Sequence, residues 1–258
     1  MANKQYTLGR GRIYFDAFTA GTKVKTGERY FGNTPSFSLT IESESLDHFD
    51  SDGGIRVKDD SVLLELNRTG AFTTDNIDVE NVALFLLGTS STLAQTSATA
   101  VVETIADVQK DRYYQIGATA GNPSGVRGIS NVVVEVSNVA KTAVTDYVVD
   151  LTLGTIYIVP TGTIADGDDI EITYDRASNS RSRIVTAANA TIDGALRFVA
   201  TNPKGALLDY YMPYVRLSPN GEYALKGDEW QQMSFNLDIQ KLNDTTESIY
   251  VDGRPFTP

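Results

Sequence analysis

Residues 36–66, SFSLTIESESLDHFDSDGGIRVKDDSVLLEL, decide the fold class of this chain. Phe37, Leu39 and Ile41 alternate with Ser38, Thr40 and Glu42, a period of two that gives a strand one apolar and one polar face. Ser51-Asp52-Gly53-Gly54 is a turn signal, because Asp and Gly adopt the backbone angles of a tight turn at little cost. Beyond it Val62, Leu64 and Leu66 alternate with Leu63, Glu65 and Asn67. The stretch reads as one long β-hairpin over 35–72. Its tip carries Asp47, Asp50, Asp52, Arg56, Lys58, Asp59 and Asp60 with few apolar residues, so it should project rather than fold back into a core.

Outward from the hairpin, residues 1–33 read as an N-terminal arm with a strand at Arg12 to Phe18 and a polar loop over 19–34. Residues 75–88 read as a helix, capped by Asp75 or Asn76, packed through Val79, Val82, Ala83 and Leu86, and ended by Gly88. The Ser/Thr-rich run 89–100 and the NSRSR run 179–183 read as linkers. Between them Val132 to Val136 reads as a strand. Val144 to Asp150 and Thr155 to Val159 read as a hairpin, and Ile170 to Tyr174 as an alternating strand. Met233, Phe235, Leu237 and Ile239 alternate with Ser234, Asn236, Asp238 and Gln240, an amphipathic strand. The reading is therefore an all-β domain with one flanking helix, split into 1–96 and 179–258, with a β-rich module inserted at 97–178.

Composition narrows the function classes. The chain has 258 residues, of which 41% are hydrophobic, enough for a sizeable core. Its 22 basic and 33 acidic residues give a net charge of -11, which repels phosphate backbones and argues against a nucleic-acid-binding module. Residues 101–178 hold 11 acidic and 5 basic residues, the most acidic stretch. The lack of cysteine excludes disulfides and thiol chemistry and fits synthesis in a reducing cytoplasm. Met1 to Phe15 has no apolar stretch of the Sec signal type, and the longest apolar run, Val82 to Leu87, falls far short of the roughly 20 residues that span a bilayer. No membrane partner is expected.

The candidates for chemistry are few. His48 is the single histidine and sits in a charged hairpin with no nucleophile elbow, so neither a Ser-His-Asp triad nor a histidine zinc site is built around it. The carboxylate pairs Glu42/Glu44, Asp59/Asp60 and Asp168/Asp169 lack the aromatic cleft of a glycosidase. Asp50-Ser51-Asp52-Gly53-Gly54 and Asp166-Gly167-Asp168-Asp169 depart from the alternating pattern of a calcium loop and suit ordinary turns. No cofactor, metal or catalytic residue is expected, and the chain reads as a structural protein rather than an enzyme.

Gly32-Asn33-Thr34-Pro35 with SFSLTIESESLDHFDSDGG (36–54), VKDDSVLLEL (57–66), TTDNIDVENVALFLLG (73–88) and MPYVRLSPNGEYALKGDEWQQMSF (212–235) resemble the major tail tube proteins of siphophages, bacteriophages with a long non-contractile tail. DYVVDLTLGTIYIVPTGTIADGDDIEITY (146–174) resembles an accessory β module of such proteins. The resemblance implies a β-sandwich or barrel flanked by a helix. Self-assembly into stacked six-membered rings would form a channel through which DNA leaves the virion, after assembly in the host cytoplasm. Implied partners are further copies of the chain, the tape measure, tail terminator and tail tip proteins, and viral DNA in transit. Under it, strand parity makes Ser38, Thr40, Glu42, Glu44, Glu65, Asn67, Ser234, Asn236, Asp238 and Gln240 line the channel, and the tip residues Asp47, Asp50, Asp52, Arg56, Lys58, Asp59 and Asp60 meet a neighbouring subunit. The competing reading is a β-rich surface adhesin or carbohydrate-binding module, which calls for clustered exposed aromatics.

Overall fold

The structure is a computed structural model that describes residues 6–186 and 191–254. In chain order the elements are β1 (Gly11–Ala17), β2 (Arg29–Tyr30), β3 (Ser36–Asp50), β4 (Val57–Thr74), α1 (Val79–Phe85), β5 (Thr89–Gln95), β6 (Ala98–Val108), β7 (Tyr113–Gln115), β8 (Ile129–Val136), β9 (Val139–Ala140), β10 (Tyr147–Asp150), β11 (Thr155–Ile158), β12 (Asp168–Arg176), β13 (Asn179–Val185), β14 (Ile192–Ala200), β15 (Leu208–Asn220), β16 (Met233–Gln240) and β17 (Tyr250–Gly253). The protein is nearly all-β, in several antiparallel sheets. Contacts divide it into two compact units, 1–90 with 184–258, and 91–183.

The first unit is built on one eight-stranded sheet in the order β2-β1-β14-β15-β16-β4-β3, with β17 also paired to β15. β3 pairs only with β4, so the sheet stays open and is not a closed barrel. Its core gathers Ile13, Phe15, Phe31, Phe72, Leu196, Met212, Val215, Leu217, Met233, Phe235 and Leu237. Phe31, Phe72 and Phe235 meet pairwise with ring centroids 4.9–5.4 Å apart. Such pairs add about 0.5–1.5 kcal/mol beyond their burial.

Two expectations need correction here. Residues 6–33 are not an arm: β1 is paired on both sides, with β14 and with β2, Ile13 and Phe15 are buried, and Phe31 is buried as well. The loop after β1 is tied down by buried Asp16, whose Oδ1 accepts the N–H of Thr26 and of Gly27, both at 2.8 Å. Residues 1–5 of the expected arm lie outside the described residues. The helix is also shorter than 75–88. Asp78, not Asp75 or Asn76, is its N-cap and accepts the Asn81 N–H at 2.7 Å. Asp75 instead accepts from the Asn33 side-chain amide. Leu87 ends the helix in the left-handed region at φ 51°, and the Gly88 N–H reaches back to the Ala83 carbonyl at 2.8 Å. Gly88 is required for space: a Cβ there would lie 2.5 Å from the Val185 carbonyl oxygen. Val79 and Leu86, read as packing residues, are exposed, and the fully buried position is Asn81.

The second unit has a three-stranded sheet, β10-β11-β7, and a four-stranded sheet, β6-β12-β8-β9. Val108, Ile116, Val126, Ile129, Val134, Tyr147, Ile156, Ile158, Ile164, Ile170, Ile172 and Tyr174 form its core. The β10–β11 hairpin turns on Asp150, whose Oδ1 accepts the N–H of Thr152 and Leu153 at 2.9 and 2.8 Å. Gly154 follows at φ 64°, where a Cβ would strike the Val126 carbonyl oxygen at 2.3 Å. The two runs read as linkers are strands: β5 and the start of β6 occupy 89–100, and β13 occupies 179–185, pairing with β5. Thr favours strands while Ser/Thr-rich composition also marks linkers, so composition alone cannot separate the two.

Candidate functional site

Two features of the first unit stand out, a continuous polar sheet face and the hairpin that extends from it. In antiparallel strands, residues directly opposite each other share a face. The register aligns Ser36, Thr73, Ser234 and Asn220 in one row, and Ser38, Ala71, Asn236 and Ser218 in the next. Thr40, Thr69, Asp238, Arg216 and Asp193 form a third row across five strands. Glu42 opposite Asn67, and Glu44 opposite Glu65, carry the face onto the hairpin. Ser38, Thr40, Glu42, Glu44, Glu65, Asn67, Ser234, Asn236, Asp238 and Gln240 thus lie on one face, opposite the buried Phe72, Met233, Phe235, Leu237 and Ile239.

Side-chain bonds knit this face together. Thr73 and Ser234 hydroxyls are 2.9 Å apart, and the Gln240 amide donates to Asp238 at 2.5 Å. The Asn67 amide donates to Glu65 Oε1 at 2.6 Å. Sequence parity missed Arg216 and its partner Asp193, 2.9 Å away, so the sheet part of the face carries charges of both signs. Only Glu42, Glu44 and Glu65, past the last sheet row, form a run of carboxylates that make no ion pair among the described residues. The Arg216 strand was readable as β, but its register against β16 was not.

Every residue from Thr40 to Asn67 is exposed. This corrects the expectation that Ile41 packs the core with Phe37 and Leu39, for Ile41 is 64% exposed while the other two pack on the core edge. It also corrects the picture of an apolar-poor tip. Leu46, Ile55, Val57, Val62, Leu63 and Leu64 are each more than half exposed. Register shifts at Glu44/Ser45 and at His48/Phe49 re-aim the hairpin. An extra residue in one strand inverts the parity beyond it. Leu46 and Val62, directly opposite each other, therefore continue the polar face, while Ser45 and Leu63 take the other side.

The tip charges are largely engaged within the hairpin. Lys58, read as reaching for a carboxylate elsewhere, sits 2.6 Å from Asp47. That bond, followed by one from the Ser61 hydroxyl at 2.8 Å, holds the Asp47 carboxyl below its ordinary range. His48 Nδ1 lies 2.6 Å from Asp59 Oδ1, and Arg56 stacks 5.0 Å from the centre of the Phe49 ring. Asp50 accepts the Asp52 N–H and Asp60 accepts the Ser61 N–H. In the second unit, Asp166, Asp168 and Asp169 bond the N–H of Lys110, Ala165 and Asp107, the usual work of turn carboxylates. Among the described residues no three His, Asp or Glu side chains converge on a metal position, and no helix is long and apolar enough to cross a membrane.

A groove of about 790 Å³ is bordered by Gly11, Asn33, Pro35, Phe37, Leu39, Phe198 and Tyr210. It opens beside the unpaired edge of β3, where the Phe37 and Phe198 rings approach to 5.5 Å. No curated protein matches the chain. A family described as protein of unknown function UCP028589 matches residues 6–251, a span that takes in both compact units, and the chain belongs to that family.

Proposed function

We propose that this protein is a structural subunit that assembles with copies of itself into a ring-built tube, as the resemblance to siphophage tail tube proteins implies, and is not an enzyme. One observation carries the reading: a hairpin exposed over 28 consecutive residues, apolar on both faces and free along the β3 edge. Each fully buried aliphatic side chain is worth about 1.5–3 kcal/mol, so Ile41, Leu46, Val62, Leu63 and Leu64 are a large reserve of unspent association energy. A free strand edge adds main-chain bonds when a neighbouring strand covers it. The polar rows of the sheet support a wet inner wall, since a fully polar face must meet water. Ring order is six in this reading, because the chain contributes one such hairpin.

Within that reading Glu42 and Glu44 face the channel, roughly 7 Å apart along the strand. Carboxylates repel DNA over a Debye length of about 8 Å, whereas lysines would release counterions and hold the phosphates. Electron microscopy of the purified chain is expected to show rings or tubes. Replacing both with lysine, Glu42→Lys and Glu44→Lys, should leave assembly intact and slow DNA ejection. Monodisperse single particles at high concentration would overturn the assembly; normal ejection would overturn the assignment of the wall. A second reading, glycan binding by the 91–183 unit, rests on Tyr113 and Tyr157, exposed and half-exposed rings 4.6 Å apart. It requires Tyr113→Ala to abolish a binding signal on an oligosaccharide array.

A further inference from the structure

The 91–183 unit carries 11 acidic and 7 basic residues, yet among the described residues none of these charges pairs with another; every ion pair lies in the other unit. Three of its seven cations gather at one loop. Arg181 and Arg183 stand two apart on β13 and so share a side of that strand. Arg181 Nη2 donates to Asn122 Oδ1 at 3.3 Å and to Ser124 Oγ at 3.2 Å. Arg183 Nη2 donates to the same two oxygens, to Ser124 Oγ at 3.0 Å. Arg127 Nη1 joins them through the Ser124 carbonyl at 2.8 Å. Further bonds run to the carbonyls of Gly121, Gly125 and Leu153.

Every one of these acceptors is neutral. Two guanidinium groups converge on a carboxamide oxygen and a hydroxyl, where charge compensation would place an anion. All three side chains belong to half-buried residues, so water screens their repulsion poorly. Burial first, and then the positive charges of Arg127 and Arg183, pull the Arg181 guanidinium below its ordinary range. Each guanidinium has five N–H donors in a planar fork, and the Nε of all three has no protein acceptor among the described residues. Bracing the 121–127 loop accounts for the carbonyl bonds but not for concentrating three like charges without a carboxylate. The fork geometry of arginine fits an oxyanion with two or three oxygens.

We propose that Arg127, Arg181 and Arg183 form a binding site for a single phosphate-class oxyanion. The site belongs to one unit of one chain and is independent of any assembly into tubes. The test is an NMR titration of the arginine Nε–H signals of the full chain with inorganic phosphate, against chloride at matched ionic strength. Saturable shifts confined to these three arginines are expected with phosphate alone. The double variant Arg181→Gln with Arg183→Gln should weaken binding at least tenfold. Because those arginines also brace the loop, Asn122→Asp is the second variant. It keeps all three arginines, supplies the missing negative charge from within, and should raise the melting temperature while weakening phosphate at least tenfold. Repeating the titration with glycerol phosphate separates the sources: tighter binding than inorganic phosphate assigns a phosphate carried on an organic group, and equal or weaker binding assigns the free ion. Shifts that match those with chloride, or phosphate binding unchanged in folded Asn122→Asp, would overturn the proposal.

Discussion

Asn81 is the residue that ties the helix to the sheet. Its side-chain amide donates to the carbonyls of Phe31 and Asn76 at 2.9 and 2.8 Å, and its oxygen accepts from Arg29 at 2.7 Å. Asn81→Ala would strand these buried groups and should cost about 1–3 kcal/mol, read as a lower denaturant midpoint; an unchanged midpoint would contradict it. Nothing in the sequence marks Asn81, because a polar residue in an amphipathic helix reads as surface until a neighbouring chain segment is seen to cover it. Asp146 plays a comparable role in the second unit. Its carboxylate accepts the N–H of Thr163 and of Thr142, both at 2.7 Å, and the bond from Thr163 is the main cause that holds its carboxyl below the ordinary 3.8. A lowered folded value means that the carboxylate stabilises fully above 3.8 and that this stability is lost as pH falls from there through the lowered value. Asp146→Asn should therefore melt lower than the parent at neutral pH, with the gap closing in acid below that point. A gap constant across the pH range would show that the lost stability is unrelated to ionisation.

At the scale of elements, the hairpin is where local reading and three-dimensional structure diverge. The alternation before Gly53 and after it gave two strands and a turn, and both strands are present as β3 and β4. What alternation could not give is the pair of register shifts, since a bulge depends on how two strands are matched and not on either alone. The first of them, at Glu44/Ser45, puts Val62 beside Leu46 on the face that parity reserves for polar groups. The pair supplies an experiment on association without touching the core. Leu46→Thr with Val62→Thr should leave the stability of the isolated chain within about 0.5 kcal/mol, as for exposed positions generally, while sharply raising the concentration needed for assembly. Sedimentation of parent and variant over a concentration series would show it. Equal assembly in both would remove the hairpin's apolar pair from the interface, and a large loss of thermal stability would show that the pair is part of the monomer's own packing.

For the whole molecule, the division into two units is a statement about cores. All the buried residues around Phe31, Phe72 and Phe235 come from outside 91–183, and those around Ile156 and Ile172 from inside it. Excising 91–183 and joining Ser90 to Ile184 should leave a chain that still unfolds cooperatively and keeps its near-ultraviolet circular dichroism. Loss of that signal would mean that the first unit depends on the second. The sequence by itself determined the all-β class, the long hairpin, the presence of one helix after it and the amphipathic closing strand, because each follows from side-chain periodicity and turn residues within some ten or twenty neighbours. Only the tertiary structure decided that β1 pairs with β14, some 180 residues further along the chain, that the polar face includes Arg216 and Asp193, and that three arginines meet at the loop holding Asn122 and Ser124. Those outcomes rest on pairing between distant segments, and a strand's pattern states that it will pair while leaving open with which partner and in which register.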